Sequence, residues 1–272
     1  MNTSHTGVSG NSRIVNALLV LNVLFVFLLI LFPIVVIVVA SFSPTLELKF
    51  PPKALSLHWY HQFFGEADMV QGFIWSLVVA LASTALSVLF GTTAAVALVR
   101  FRFPFKGAIT AFLLSPMVFP GLILGVALLL AFQTFGVPII ARLVLAHTLL
   151  GIPFVIRSVV SSLELFDTAI EEAACIHGAS RLRAFLTVTL PSIQGGIVAG
   201  AVFAFVVSFG EINATLFLTG PGIATLPVHI FSQIQFGAEQ VIVAAASTLQ
   251  MALVIFLVLL LERLGLSLTP SR

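Results

Sequence analysis

The sequence is poor in charge. Only 8% of its 272 residues are Asp, Glu, Lys or Arg, whereas a soluble domain has about a quarter. Hydrophobic residues make up 60% of the chain, so polar groups cannot cover its surface and its solvent must be largely the lipid bilayer. The formal net charge is only +2, and the placement of the charges argues against a nucleic-acid partner.

The residues that carry catalysis and metal binding are scarce too. Cys175 is the single cysteine, which excludes an intrachain disulfide and a Cys-rich metal cluster. None of the three lysines follows a glycine, so the phosphate-binding loop G-x-x-x-x-G-K-[ST] is absent, as are an H-E-x-x-H pair and a serine nucleophile elbow. His58 and His61 have no third ligand nearby. We therefore predict no metal, no cofactor and no enzymatic activity.

Long apolar runs are what the sequence has in abundance. A membrane-spanning helix needs about 20 apolar residues, and the chain contains six such runs, which we predict to be spans: Ile14–Ala40, Gly72–Val99, Ala108–Phe132, Pro138–Val160, Ser192–Phe209 and Val241–Leu261. Prolines and glycines predict a kink in the third. The fold class is therefore all-α: a polytopic membrane domain over residues 14–263, with polar tails at residues 1–13 and 264–272.

Two further features concern how these spans are arranged. Prolines exclude a helix from the start of the first loop, and Leu57–Phe64 predicts a short helix on the membrane surface, with Trp59 and Tyr60 as interfacial aromatics. The second and fifth spans are rich in small residues, which let helices approach closely. These small residues predict close packing inside the bundle or against a second subunit.

The basic residues predict the orientation. If the N-terminus is cytoplasmic, most of them fall on the cytoplasmic side: Arg13, Arg100, Arg102, Lys106, Arg157, Arg181, Arg183, Arg263 and Arg272. Lys49 and Lys53 fall outside, and Arg142 lies near a boundary. Because cytoplasmic loops carry an excess of Lys and Arg, both termini and the loop over residues 161–191 are predicted to be cytoplasmic.

The loop over residues 161–191 is the one structured polar segment. Thr168-Ala-Ile-Glu171 fits a capping box, and Glu171 and Glu172 suit the positive end of a helix dipole. Gly178 is placed to end this helix, and Ser180 to cap a second one that Pro191 ends. Helices this short are marginal alone. They must dock either on their own bundle or on another protein.

The same loop resembles a family signature. Glu172-Ala173-Ala174, Gly178, Val188 and Leu190-Pro191 follow the pattern E-A-A-x3-G-x9-I-x-L-P of the membrane subunits of bacterial ATP-binding-cassette importers, with Val188 in place of Ile. The resemblance implies a type I importer permease fold in the bacterial inner membrane. It also implies that Thr168–Gly178 is a coupling helix seated in a groove of a separate ATPase. The implied ATPase-coupling residues are Glu171, Glu172, Ala173, Ala174, Gly178, Val188, Leu190 and Pro191.

The resemblance further implies the partners. They are a dimer of ATPase subunits, which hydrolyse the ATP, a second permease that is identical or related, and an extracytoplasmic solute-binding protein. Segments such as Ser208-Phe-Gly-Glu211 and Thr219-Gly-Pro221 resemble the branch that carries polyamines, with ferric iron and phosphonate importers nearby.

Glu211 is the candidate for contact with a charged substrate. It stands near the end of an apolar helix, where an ionisable group is costly and therefore a functional candidate. Asn213 and Gln233 would add polar contacts along the substrate path. The alternative is that Glu211 is a helix-end carboxylate in headgroup water. Arg142 or His147 in the fourth span would instead favour an anion.

Two other classes of protein were weighed against an importer permease. A secondary transporter driven by an ion gradient would need paired intramembrane acids and matching broken helices, and only Glu211 qualifies. An intramembrane enzyme would need a catalytic constellation, which the sequence lacks. The permease is therefore the leading hypothesis, with a small charged solute such as a polyamine as its predicted substrate.

Overall fold

The regular structure of the described residues consists of helices. The computed structural model describes residues 9–46, 50–237 and 240–263. The helices are α1 (Ser9–Ala40), α2 (His58–Gly65), α3 (Ala67–Arg100), α4 (Lys106–Leu114), α5 (Gly121–Thr134), α6 (Ile139–Leu165), α7 (Thr168–Ile176), α8 (Arg181–Ala184), α9 (Leu190–Ser192), α10 (Gln194–Gly210), α11 (Thr215–Leu218), α12 (Leu226–Phe236) and α13 (Gln240–Arg263).

The long apolar helices confirm a polytopic membrane protein. Within the described ranges, α1, α3, α6 and α13 are each long and apolar enough to cross a bilayer. Two bent pairs also pass this test: α4 with its 3₁₀ extension and α5, bent by 103°, and Arg181–Ser192 with α10, bent by 64°. If each pair crosses once, the number of spans is the predicted six.

The third span is bent, as its prolines and glycines predicted, whereas the fifth begins with a break that we did not predict. The third is interrupted after the 3₁₀ turn Ser115–Met117, and Pro120 stands at the N-cap of α5. The fifth starts at Gln194, after a break at Ile193, rather than at Ser192. Proline lacks an amide hydrogen and widens or breaks a helix just before it. Pro191 accordingly follows a π-helical turn at Phe185–Thr189 and does not end the second loop helix as predicted.

The predicted surface helix exists, but its main aromatic residues are buried against the bundle and not exposed. It is α2, and its Trp59 and Phe63 are each only 1% exposed, in a cluster with residues of α3, α12 and α13. The Trp59 indole N–H donates to the Ser43 carbonyl over 2.8 Å. The predicted N-terminal tail is also shorter than expected, since α1 begins at Ser9. Residues 1–8, Lys49 and the predicted tail 264–272 lie outside the described residues.

Small residues bring α3, α6 and α10 together in the centre of the bundle. A Cβ atom added at Gly91 or Gly200 would lie 2.7 Å or 2.8 Å from an atom of Val155 in α6. One added at Gly151 would lie 2.5 Å from the Ser87 hydroxyl oxygen. The small residues of the second and fifth spans thus pack inside the bundle of this chain, which is one of the two arrangements that we predicted.

Helix α1 lies at the edge of the bundle. It packs on α13, and its large apolar side chains are exposed along most of its length, Leu28 by 66% for example. A monomeric soluble protein does not leave so large an apolar surface uncovered. The surface of α1 therefore suits lipid.

Candidate functional site: the loop 161–191 and the bundle core

The loop 161–191 folds as two short helices joined by a glycine turn, as predicted. Helix α7 ends at Ile176, and Gly178 follows with φ +94°, a left-handed conformation that favours glycine. The Ser180 hydroxyl accepts the Arg183 amide and caps α8. The first cap differs from the prediction. Asp167, not Thr168, is the N-cap of α7, and its carboxylate accepts the Ala169 amide over 2.9 Å.

Glu171 does not close a capping box, because its carboxylate turns toward the membrane bundle. It forms an ion pair of 2.6 Å with Arg100, the last residue of α3, and accepts a hydrogen bond from the Thr189 hydroxyl. The Arg100 guanidinium also lies 5.9 Å from the centre of the Phe166 ring. Burial raises the pKa of Glu171, but the bonds from Thr189 and Arg100 and the charges of Arg100 and Arg181 outweigh it, so that its pKa lies below the ordinary value.

The opposite face of α7 is open to solvent. No residue of α7 is buried. Glu172 and Ala173 are exposed, and Ala174 is half-buried. Ile170 and Ile176 expose 53% and 84% of their surface. A small acidic and apolar surface therefore stands at the tip of the loop, of the kind that a partner protein covers.

The second half of the signature links the loop to the bundle. Val188 and Leu190 are half-buried, and Pro191 is exposed. Phe185, Leu186, Leu190 and Pro191 line one side of an open apolar cavity of about 800 Å³, whose other walls are α3 and the first turns of α10. Leu190 and Pro191 lie where the loop bends by 64° into α10.

A buried polar network lies deeper in the bundle. His147 of α6 is 1% exposed, and its two ring nitrogens lie 2.7 Å from the Ser208 hydroxyl and 2.9 Å from the Thr215 hydroxyl. Ser83 of α3 donates to Ser208 over 3.0 Å. The network joins α3, α6, α10 and α11 at the place where α10 stops. Buried polar groups that are satisfied in this way fix one arrangement of the helices.

Glu211 and Asn213 lie together just past the end of α10. Glu211 is half-buried, and its carboxylate accepts the Ala214 amide over 2.8 Å, which caps the turn that leads into α11. Asn213 is exposed, and its side chain lies against Gly121 at the start of α5. Gln233 stands apart on α12, folded against the backbone at Gly237.

The two candidates for an anion site are both engaged in holding the fold. The Arg142 guanidinium donates to the Val137 carbonyl over 2.5 Å, at the start of α6. His147 is enclosed in the network already described. Of the two, His147 is enclosed, whereas Arg142 is half-buried.

Sequence reasoning missed both partners of Glu171. Arg100 was predicted only as a cytoplasmic charge, and Thr189 only as a position on the second loop helix. Glu171 lies 71 and 18 positions from these partners. A charge at the end of an apolar span beside an acidic loop was the only signal available. In the described part of the chain, no group of three His, Cys, Asp or Glu side chains is placed to hold a metal.

Comparison with known proteins places these features in a family. Residues 87–266 match the family model described as binding-protein-dependent transport system inner membrane component. The putrescine transport system permease protein PotI of Escherichia coli strain K12 is 31% identical over 223 residues, which is 79% of each chain. The spermidine/putrescine transport system permease protein PotC of Haemophilus influenzae is 30% identical over 227 residues, 82% of this chain and 88% of that one.

Solved structures share the fold at lower identity. A bacterial ABC transporter involved in the import of the acidic polysaccharide alginate aligns with a TM-score of 0.70 at 14% identity, over 93% of this chain and 95% of that one. An amino acid ABC transporter with histidines aligns with a TM-score of 0.56 at 18% identity, over 77% and 99%. At identities this low, the similarity shows only that the helices are arranged in the same way.

Proposed function

The chain belongs to the binding-protein-dependent transport system inner membrane component family, and on that premise we propose that it imports a polyamine and receives the energy of ATP through α7. The family makes it the permease subunit of an ABC importer, a multi-pass protein of the inner membrane with the type I permease fold. The substrate, the coupling residues and the partners are what the proposal adds.

The exposed face of α7 is the observation that carries the coupling role. A helix of nine residues with none buried is too short to be stable on its own, and it presents Glu172, Ala173 and two exposed isoleucines to the cytoplasm. We assign this face, with Ala174 and the Gly178 turn, to the groove of a separate ATPase subunit. Val188, Leu190 and Pro191 then carry the displacement of α7 into α10. This arrangement needs both termini in the cytoplasm.

A cationic substrate is supported by two observations. The relatives named above are described as permeases for putrescine and spermidine. Glu211 is a half-buried carboxylate at the end of α10, where it would attract an ammonium group. Asn213 and Gln233 are proposed to add polar contacts. His147 is enclosed in the buried network and bonded at both ring nitrogens, which argues against it as the contact of an anion such as a phosphonate.

The proposal includes three kinds of partner. They are a pair of ATPase subunits, a second permease that is identical or related, and an extracytoplasmic solute-binding protein. One of the similar solved structures is described as a transporter in complex with a periplasmic protein that holds an alginate pentasaccharide. A binding protein that delivers a polyamine would occupy the corresponding place here.

The proposal is tested by reconstitution in proteoliposomes. The chain is co-expressed with candidate ATPase, second permease and binding-protein subunits, and ATP-dependent uptake of labelled putrescine and spermidine is measured. We expect uptake of at least one of them, and a marked decrease in uptake with Glu211→Gln. Glu262→Gln, at the exposed end of α13, is the matched control and should leave uptake unchanged.

Three outcomes would contradict separate parts of the proposal. Uptake of ferric iron or a phosphonate, with none of a polyamine, would refute the substrate. A detergent-extracted permease that never retains an ATPase would refute the coupling role of α7. Uptake driven by an ion gradient in the absence of ATP would identify a secondary transporter instead.

A further inference from the structure

We infer that Arg100, Glu171 and Thr189 form a clamp that passes the movement of α7 to α3, so that Arg100 is a positioning residue for transport. These three residues are called the Arg100 clamp below. The inference rests on the proposed coupling role of α7. It adds a residue outside the family signature and a specific route by which the load on α7 reaches the core of the bundle.

The clamp is built around one carboxylate oxygen. Arg100 Nη1 lies 2.6 Å from Glu171 Oε2, and the Thr189 hydroxyl donates to the same oxygen. Arg100 Nη2 donates to the Thr189 hydroxyl oxygen over 3.4 Å. Thr189 is fully buried, and the side chains of Arg100 and Glu171 are only 23% and 15% exposed. Ion pairs and hydrogen bonds shielded from water in this way are stronger than exposed ones.

The clamp joins three elements. Arg100 is the last residue of α3, Glu171 lies in α7, and Thr189 lies in the π-helical turn that leads to α10. No residue of α7 is fully buried, and this helix packs chiefly on α8 and the π-helical turn of its own loop. The clamp links α7 to the end of α3, so a push on α7 reaches α3 through Arg100.

The helix that Arg100 ends is the right one to receive this push. α3 packs closely on α6 through Gly91 and Gly151, and it also packs on α10, to which Ser83 is bonded through Ser208. Packed helices transmit displacement because their interiors resist compression. Phe166, at the end of α6, lies beside the same guanidinium. The movement is thus delivered to all the central helices at their cytoplasmic ends.

Two adjacent glutamates consequently have different roles. Glu171 faces inward to the clamp, whereas the side chain of Glu172 is exposed on the face proposed for the ATPase. The charged groups that act on Glu171 are Arg100 and, from α8, Arg181. A substitution at Glu172 should weaken attachment of the ATPase, and a substitution in the clamp should leave attachment intact while it disconnects the bundle.

The first experiment compares transport with ATP hydrolysis in the reconstituted complex. The variants are Arg100→Gln, Glu171→Gln and the charge exchange Arg100→Glu with Glu171→Arg; Arg102→Gln, whose side chain is exposed, is the matched control. We expect both single variants to retain the ATPase and to hydrolyse ATP, while putrescine uptake per ATP falls by about tenfold, which is within the usual range for coupling between sites. The charge exchange should restore most of the uptake, and Arg102→Gln should behave as the wild type.

A second experiment needs no substrate. In a Cys175→Ser background, spin labels at His177→Cys and Phe101→Cys report the distance between α7 and the end of α3 in the complex. We expect vanadate trapping of the ATPase to leave this distance unchanged when the clamp is intact, and to change it when Arg100→Gln is present. This readout responds to transmission and not to folding alone.

The results separate the inference from its premise. Single clamp variants with wild-type uptake per ATP, or a label distance that behaves identically with and without Arg100→Gln, would overturn the clamp while leaving the proposed function in place. Failure of the wild-type chain to retain an ATPase would instead remove the proposed function. If the charge-exchange variant loses as much uptake as the single variants, then Arg100 and Glu171 have only a structural role, and the clamp is overturned.

Discussion

His147 shows how far a residue's surroundings can differ from its sequence context. In the sequence it is an isolated histidine in an apolar span, and it predicted a possible anion contact. In the structure both ring nitrogens are bonded to hydroxyls 61 and 68 residues further along the chain. It therefore connects α6 to α10 and α11 through hydrogen bonds. A role of this kind depends on tertiary contacts that no local pattern displays.

Replacement of His147 by leucine should destabilise the protein. His147→Leu keeps the apolar volume of the side chain but leaves the buried hydroxyls of Ser208 and Thr215 without this partner, at a cost of about 1–3 kcal/mol. Thermal unfolding in detergent should show a lower Tm. Thr93→Ala is the control, because the exposed Thr93 hydroxyl bonds only to carbonyls of its own helix. Equal unfolding temperatures for the two variants would contradict this account of the network.

The Arg100 clamp should weaken in acid through Glu171. The pKa of Glu171 is lower in the folded protein than its ordinary value, so its contribution to stability is present above that ordinary value and is lost as the pH falls through the folded pKa. Amide hydrogen exchange of residues 168–176, corrected for intrinsic rates, should show greater protection in the wild type than in Glu171→Gln at neutral pH. The difference should disappear in acid; a difference that persists at every pH would contradict the assignment.

Close helix packing is the main feature at the scale of elements. α3, α6 and α10 meet through glycines, because a membrane interior offers no hydrophobic driving force between helices and close contact must hold them instead. Among the glycines at which these three helices meet, Gly200 has the nearest backbone atom: an added Cβ would lie 2.8 Å from the Val155 Cα, which cannot rotate away.

A single methyl group at Gly200 should therefore separate α10 from α6. We expect Gly200→Ala to cost about 1–3 kcal/mol, the usual range for overpacking, and to lower the Tm of the detergent-solubilised protein. Gly107→Ala is the matched control: no atom lies within 4 Å of a Cβ added there, and alanine favours the helix in which it stands. If both substitutions have the same effect, the contact at Val155 is not limiting.

The sequence predicts those elements whose signals are local. Apolar runs locate the membrane helices, and Gly178 and Ser180 locate the turn and cap of the loop because each acts on its own backbone. The kink in the third span was predicted from its prolines and glycines, and it is the 103° bend before α5. The break at Ile193 was not predicted, since an apolar run has the same composition whether it is straight or bent. The burial of Trp59 was missed because an aromatic at a membrane interface and one in a core have the same local context.

At the scale of the whole molecule, the orientation in the membrane is open to a direct test. Cys175 is the single cysteine and lies half-buried in α7. In the chain expressed without an ATPase, a membrane-impermeant maleimide should label Cys175 in inverted vesicles and not in intact spheroplasts, because the loop is predicted to be cytoplasmic. Leu55→Cys in a Cys175→Ser background is the opposite marker, as Leu55 is 77% exposed in the loop between α1 and α2. Labelling of both sites from the same side would contradict the predicted topology.

The exposure of α1 has a consequence for the order in which the protein is built. During synthesis α1 leaves the ribosome before the other spans, and its exposed apolar surface requires no protein neighbour, so it can enter the bilayer alone. α10 cannot do so equally well, because it buries eight of its seventeen residues, against α3 and α6 and also against α13. The insertion of α1 therefore does not depend on the other helices, whereas α10 needs α3 and α6 in the bilayer before it can be packed.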